Sequence, residues 1–339
     1  MPNAIDYIDW RGDIPLSVSP FNEVDNLLVC KLVSLDFTDI VPSEGERSIQ
    51  EAAQGYFDKF GEEDVRRGVL LAPGAVTMLK KMLKAPRFRD LRLRDYVYHV
   101  DQKAEKQFSA MTVVLPDETR YIAFRGTDDN LVAWKEDFNM AFESPVPGQA
   151  YAVKYLNMVT GRLYNSFYVG GHSKGGNLAA WAGLHLPHKV YDRLMDVYNN
   201  DGPGFNRSMT ELPEYALLRE KMHTFIPESS IVGVLLEHCE DYTVIASTAK
   251  SIMQHEALSW CTERNRFIHL EERSALGRRS DDVLRGWIGS MTPRERKDFT
   301  DAFFNILSMG GKAKTLDDVQ EMGLSGAVAL VKEFAGSDE

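Results

Sequence analysis

Apolar and polar positions along the chain change their spacing twice. From residue 18 to 85 they recur with a helical period. The stretch 22–35 opens on polar residues and then carries Leu27, Leu28, Leu32 and Leu35. The stretch 48–60 follows a Pro-Ser turn, and 72–84 opens with Ala-Pro-Gly before a Leu/Met/Lys pattern. Three helices are predicted there. The middle of the chain instead shows short β-rich runs at 96–100, 109–115, 120–124, 167–169, 196–198, 224–226 and 242–245. Pro116-Asp117-Glu118 is a tight turn, so the second and third runs are predicted to pair antiparallel. Helical stretches at 178–186 and 212–221 then separate the strands, which argues for an α/β layer architecture. The last segment returns to helix. Val283, Leu284, Trp287, Ile288 and Met291 share one face. Phe299, Ala302, Phe303, Ile306 and Leu307 repeat the pattern, as do Ala327, Val328, Leu330, Val331 and Phe334, with a Met-Gly-Gly break at 309–311. These stripes read as core-packing faces of a helical appendage. The organisation predicted is a mostly helical segment at 1–90, a core at 91–274 and the appendage at 275–339.

Composition narrows the function classes. The 339 residues are 44% apolar and 26% charged, ordinary for a globular protein. Lys and Arg number 39 against 50 Asp and Glu, a net charge of −11, so nucleic acid is not expected as a partner. Cys30, Cys239 and Cys261 are too few and too scattered for a disulfide framework or a four-cysteine zinc site. The start MPNAIDYIDWRGDIP lacks a basic opening followed by an apolar run, so no signal peptide is expected. No apolar run approaches the roughly 18 residues of a membrane span. A cytoplasmic protein is the expectation.

Chemistry concentrates at Tyr168-Val169-Gly170-Gly171-His172-Ser173-Lys174-Gly175-Gly176-Asn177. This contains G-x-S-x-G with an apolar strand before it and a helix-forming run after it. That is the strand–turn–helix of a nucleophile elbow. The serine is pushed out of the sheet, and side chains two residues away on either side would collide with strand or helix. The helix that follows points its positive end at a developing oxyanion. A phosphate-binding P-loop is excluded, because Gly171-His172-Ser173-Lys174 has the wrong order. Upstream, Tyr121-Ile122-Ala123-Phe124-Arg125-Gly126-Thr127 is a strand ending in a polar turn.

Together these two motifs resemble the class 3 (fungal-type) lipase family, where a strand ending F-R-G-[ST] precedes G-H-S-x-G-G. The sequence is also similar to uncharacterised bacterial lipase-like hydrolases related to that family. The resemblance covers roughly residues 95–260. It implies an α/β-hydrolase-type core sheet flanked by helices, with Ser173 as nucleophile and the Lys174 and Thr127 N–H groups as oxyanion donors. Residues 128–149 match the position of the family's lid and carry Leu131, Trp134, Phe138, Met140 and Phe142. A lid and a helix docked on the core are both open readings of that segment.

The base of such a fold follows the acid, which follows the serine. His238, His255 and His269 qualify by order, and His255, in a loop-like stretch after the 242–245 strand, stands where the family places its base. His172 adjoins the serine but points away in an elbow. His185 and His188 read as a helix end rather than a metal pair. The acid departs from the family: Ser230 stands in the turn Pro227-Glu228-Ser229-Ser230 where an aspartate is expected. A serine cannot stabilise an imidazolium as a carboxylate does. Asp201, in Asn199-Asn200-Asp201-Gly202-Pro203-Gly204, can serve from one strand earlier, as a similar turn does in pancreatic-type lipases. Glu228 and Asp241 are the alternatives. The sequence thus points to a serine esterase or lipase-like hydrolase of a small-molecule or lipid ester, needing no metal or organic cofactor. Two other readings stay open: an inactive hydrolase scaffold that binds a partner, which the Ser230 departure favours, and a thioesterase or acyltransferase. Acyl and alcohol groups, and the oligomeric state, are not encoded in any motif.

Overall fold

The computed structural model describes residues 1–63, 74–101, 103, 105–127, 130–140, 142–162, 165–275, 277–278, 290–308, 312–315 and 318. In chain order the elements are α1 (Ala4–Arg11), α2 (Glu23–Lys31), β1 (Glu46–Ser48), α3 (Ile49–Phe60), α4 (Ala75–Lys84), β2 (Arg92–Asp101), β3 (Lys106–Val114) and β4 (Arg120–Phe124). There follow α5 (Leu131–Asn139), α6 (Pro147–Gly161), β5 (Phe167–His172), α7 (Lys174–Leu184), α8 (His188–Tyr191), β6 (Leu194–Asn200), α9 (Arg207–Thr210) and α10 (Pro213–Leu218). The chain continues through β7 (Met222–Pro227), β8 (Tyr242–Ile245), β9 (Thr262–Glu263), β10 (Arg266–Phe267), β11 (His269–Leu270) and α11 (Pro293–Leu307). The helical stripes expected at 327–334, and that at 283–291 apart from Met291, lie outside the described residues.

One nine-stranded sheet runs in the order β1-β2-β3-β4-β5-β6-β7-β8-β11. β1 to β4 pair antiparallel, β4 to β8 pair parallel, and β11 returns antiparallel on β8. Both edge strands are short: β1 has three residues, Glu46, Arg47 and Ser48, and β11 has two. The Pro116-Asp117-Glu118 turn joins β3 to β4, with the Glu118 N–H on the Leu115 carbonyl at 3.0 Å. Parallel strands need crossovers, and α6 and α7 provide them before and after β5.

Strand alternation sorts side chains onto two faces. On β4, Tyr121 and Ala123 face a core built with α1 to α4, containing Leu27, Leu28, Phe37, Leu79 and Phe88. Ile122 and Phe124 face the other core, with Leu156, Leu178 and Trp181 from α6 and α7. The N-terminal helices are therefore one layer of a helix–sheet–helix sandwich, and their segment also contributes an edge strand. α1, which the periodicity did not single out, is defined by its cap: the Asn3 side chain accepts from the Ile5 and Asp6 N–H groups, and Asp6 reaches back to the Asn3 N–H. A mixed sheet with parallel centre, covered on both faces, is an α/β-hydrolase-type fold. Among the described residues no helix is long and apolar enough to cross a membrane.

Candidate active site

The site sits at the C-terminal ends of β5 and β6, where loops from several strands converge. Ser173 occupies the turn between β5 and α7 with φ 59°, a left-handed conformation that costs a non-glycine residue about 1–3 kcal/mol. Packing enforces it. A Cβ on Gly171 would lie 2.1 Å from the Gly175 carbonyl carbon, and one on Gly175 would lie 2.2 Å from the Phe124 oxygen. Strand β5, helix α7 and strand β4 thus meet at a distance only glycine allows. The Ser173 N–H is held by the Asn200 carbonyl at 3.0 Å. Asn200 in turn donates to the Gly171 carbonyl at 3.1 Å and accepts from Asn26 of α2 at 2.9 Å. The N-terminal layer therefore reaches the turn that carries the serine.

His255 ends a 3₁₀ turn, Ser251–His255, in the long connection after β8. Its Nδ1–H donates to Asp201 Oδ2 at 2.6 Å. That fixes the tautomer, so Nε2 accepts from the Ser173 hydroxyl at 3.0 Å. Asp201 is fully buried, in the turn after β6. Its second oxygen accepts from the Ser230 hydroxyl at 2.5 Å. The serine that replaces the aspartate expected in that turn thus orients the carboxylate supplied from β6. Gly233 donates its N–H to the Ser230 oxygen at 3.0 Å.

The other candidates lie elsewhere. Glu228 accepts from Gln254 at 3.3 Å, and Asp241 is exposed. His238 pairs with the buried Glu240 at 2.8 Å, and His269 with Glu23 at 2.9 Å. His185 donates to the Trp181 carbonyl at 2.8 Å, which caps the end of α7. Among the described residues no group of three His, Cys, Asp or Glu side chains is arranged for a metal ion. His172 is turned away from the serine and donates Nε2–H to the His255 carbonyl at 2.8 Å. Its ring lies 4.7 Å from that of His255. Burial holds His172 well below the usual imidazole range, and Lys31 and His255 add to the effect, so it stays neutral.

Two acids that sequence reasoning missed complete the surroundings. Lys174, whose side chain is fully buried, forms an ion pair with Glu136 of α5 at 3.1 Å and bonds Gln107 at 2.9 Å. Glu136 also accepts from the Gln107 and Gly148 N–H groups at 3.1 and 2.6 Å. Next to it, Asp137 accepts from the Thr127 hydroxyl, and its other oxygen lies 3.8 Å from Lys174 Nζ. Burial pushes the Asp137 carboxyl up to about 6, against the opposing effect of Lys174 and of the Thr127 hydrogen bond. The signal was present. Glu136 lies on the buried stripe of α5 with Ala133 and Asn139, and a charge on such a stripe demands a buried partner.

A cavity of 240 Å³ opens over Ser173, Lys174 and His255. Trp134 and Phe138 of α5, Pro203, and the loop residues Ile231 and Leu235 make its walls apolar, with Asp137 at one side. A hydroxyl, an imidazole and a buried carboxylate in hydrogen-bonded series at the floor of such a cavity can pass a proton away from the hydroxyl.

The Mbeg1-like family model matches residues 82–305, well over half of the chain. No curated protein matches the sequence. Among solved structures, the chain is similar to the Rhizomucor miehei lipase propeptide complex, with 13% identity over 70% of this chain and 81% of that one, TM-score 0.42. It is similar to lipase II from Rhizopus niveus, with 18% identity over 51% of this chain and 71% of that one, TM-score 0.37. A triacylglycerol lipase described as having a serine protease triad at its catalytic centre matches at 15% identity over 67% and 81%, TM-score 0.38.

Proposed function

We propose that this chain, which belongs to the Mbeg1-like family, is a serine carboxylic ester hydrolase that works through an acyl-enzyme. The observation that carries the reading is the unbroken series Ser173 Oγ–His255–Asp201, at 3.0 and 2.6 Å. In this reading the Ser173 oxygen attacks the ester carbonyl while His255 takes its proton, and Asp201 stabilises the imidazolium that results. The N–H groups of Lys174 and Thr127 hold the oxyanion, Lys174 at the start of α7 and Thr127 just beyond β4. His255 returns the proton to the leaving alcohol, then activates the water that releases the acid. The apolar cavity beside Ser173 suits an acyl chain. The Ser230 hydroxyl donating to Asp201 supports this reading over an inactive scaffold, since a carboxylate stands beside His255 despite the serine in that turn.

The test is labelling with a fluorophosphonate probe, followed by peptide mapping. Label on Ser173 alone, lost in Ser173→Ala, is the expected result, with ester turnover falling by roughly three powers of ten or more. Asp201→Asn should cost about 10³–10⁴ in kcat, through the wrong imidazole tautomer. Glu228→Gln should leave turnover nearly unchanged. A folded wild type that neither labels nor hydrolyses any ester refutes the proposal.

A further inference from the structure

The pocket over Ser173 has one wall that comes from far along the chain. Met291, Arg296, Phe299 and Thr300, in and just before α11, line the same cavity as Ser173 and His255. Thr300 is buried and Phe299 half-buried. Another wall is α5, and the two helices meet through Phe138, whose ring lies 5.9 Å from Phe303 and 5.4 Å from Phe304. Lys135 of α5 pairs with Asp301 at 2.6 Å, and the Leu131 N–H donates to the Lys314 carbonyl at 2.9 Å.

The two walls are held differently. α5 is fixed to the nucleophile turn by the buried Lys174–Glu136 pair, and separating it would strand two charges out of water. α11 is held by aromatic packing and by an ion pair with one partner 41% exposed, which solvent screens. α5 is therefore the constant wall and α11 the adaptable one. An apolar cavity of about 150 Å³ holds a benzene molecule. By that yardstick the 240 Å³ here takes a chain of roughly eight to ten carbons.

Resting on the hydrolase reading, we infer that α11 sets the acyl-chain length this enzyme accepts, with Phe299 as the residue that closes the far side of the acyl pocket. The substrate class is then an ester of a medium-length acyl chain. Shortening the Phe299 side chain lengthens the pocket, and enlarging it shortens the pocket.

The experiment is a p-nitrophenyl ester series, acetate, butyrate, octanoate, laurate and palmitate, on wild type, Phe299→Ala and Phe299→Trp, each also labelled with the fluorophosphonate. The wild type should peak at octanoate. Phe299→Ala should move the peak to laurate or palmitate, raising their kcat/KM about tenfold relative to octanoate. Phe299→Trp should move it to butyrate. Labelling of Ser173 should persist in all three. An identical chain-length profile in all three proteins, with labelling intact, overturns the inference alone. Absence of labelling in the wild type overturns the hydrolase reading and the inference with it. Opposite shifts from the two variants would not arise from a general loosening of the fold, because both would then broaden the profile.

Discussion

Asp137 is a carboxyl caught between two demands. It accepts the Thr127 hydroxyl and neighbours the Lys174 ammonium, both of which favour its charge, yet burial outweighs them and lifts it from 3.8 to about 6. Between those values the folded chain holds a proton that the unfolded chain has lost. Stability therefore falls as pH rises from about 4 to about 6 and stays lower above that. Asp137→Asn removes the effect while keeping an acceptor for Thr127. It should raise stability at pH 7 by about 3 kcal/mol and leave it unchanged near pH 3. Urea unfolding at the two pH values measures this, and a variant less stable than wild type at pH 7 would contradict it. Ser173, by contrast, was readable from the sequence, because its glycines and its strand–helix context are local. That His255 and Asp201 lie in hydrogen-bonded series with Ser173 was readable only through chain order together with the resemblance to lipase turns, since both come from loops far from the elbow. Asp137 was not, since a lone Asp in a Lys-Glu-Asp run looks like a solvated helix face.

At the level of elements, α5 shows why pattern alone left the segment after β4 undecided between lid and docked helix. Its apolar residues suit either. The deciding group is Glu136, fully buried and shared by Lys174, Gln107 and Gly148. Glu136→Ala leaves the buried Lys174 ammonium with Asp137, 3.8 Å away, as its carboxylate neighbour, and should destabilise the fold by about 3 kcal/mol. Denaturant unfolding with an unchanged m-value would show this as a loss of native-state stability. A change below about 1 kcal/mol would mean that water or Asp137 replaces the lost partner. The strand runs, in turn, were legible as short apolar stretches, but their true ends were not. β5 and β6 run on through Gly170, Gly171, Asn199 and Asn200, polar or glycine positions that a propensity reading trims away.

The whole molecule joins what helical spacing divides. Helical spacing marks 1–90 as distinct from the strands that follow, yet α1 to α4 share one core with a face of the sheet. Asn26 of α2 hydrogen-bonds both Tyr121 of β4 and Asn200 of β6, at 2.6 and 2.9 Å. We propose that 1–90 and 91–274 fold as a single unit. A chain begun at residue 91 would lose Phe21 from Tyr121, Tyr168 and Tyr198 and expose that face to water, and should be insoluble or unfolded, as judged by near-UV circular dichroism. A soluble, cooperative fragment would show two independent units. Spacing could not reveal this, because a helix that covers a sheet and a helix in a separate bundle carry the same amphipathic stripe.

The ends of the sheet carry a different consequence. Unpaired backbone on a long, flat outer strand invites pairing with another chain. Here one border is the three-residue β1, with Glu46 and Arg47 on it, and the other is the two-residue β11. β1 pairs with Arg92, Leu93 and Arg94, so it shields three of the ten positions of β2 from an approaching strand. Pairing with another chain is hindered where these two short strands lie, while the 95–101 end of β2 runs on past β1.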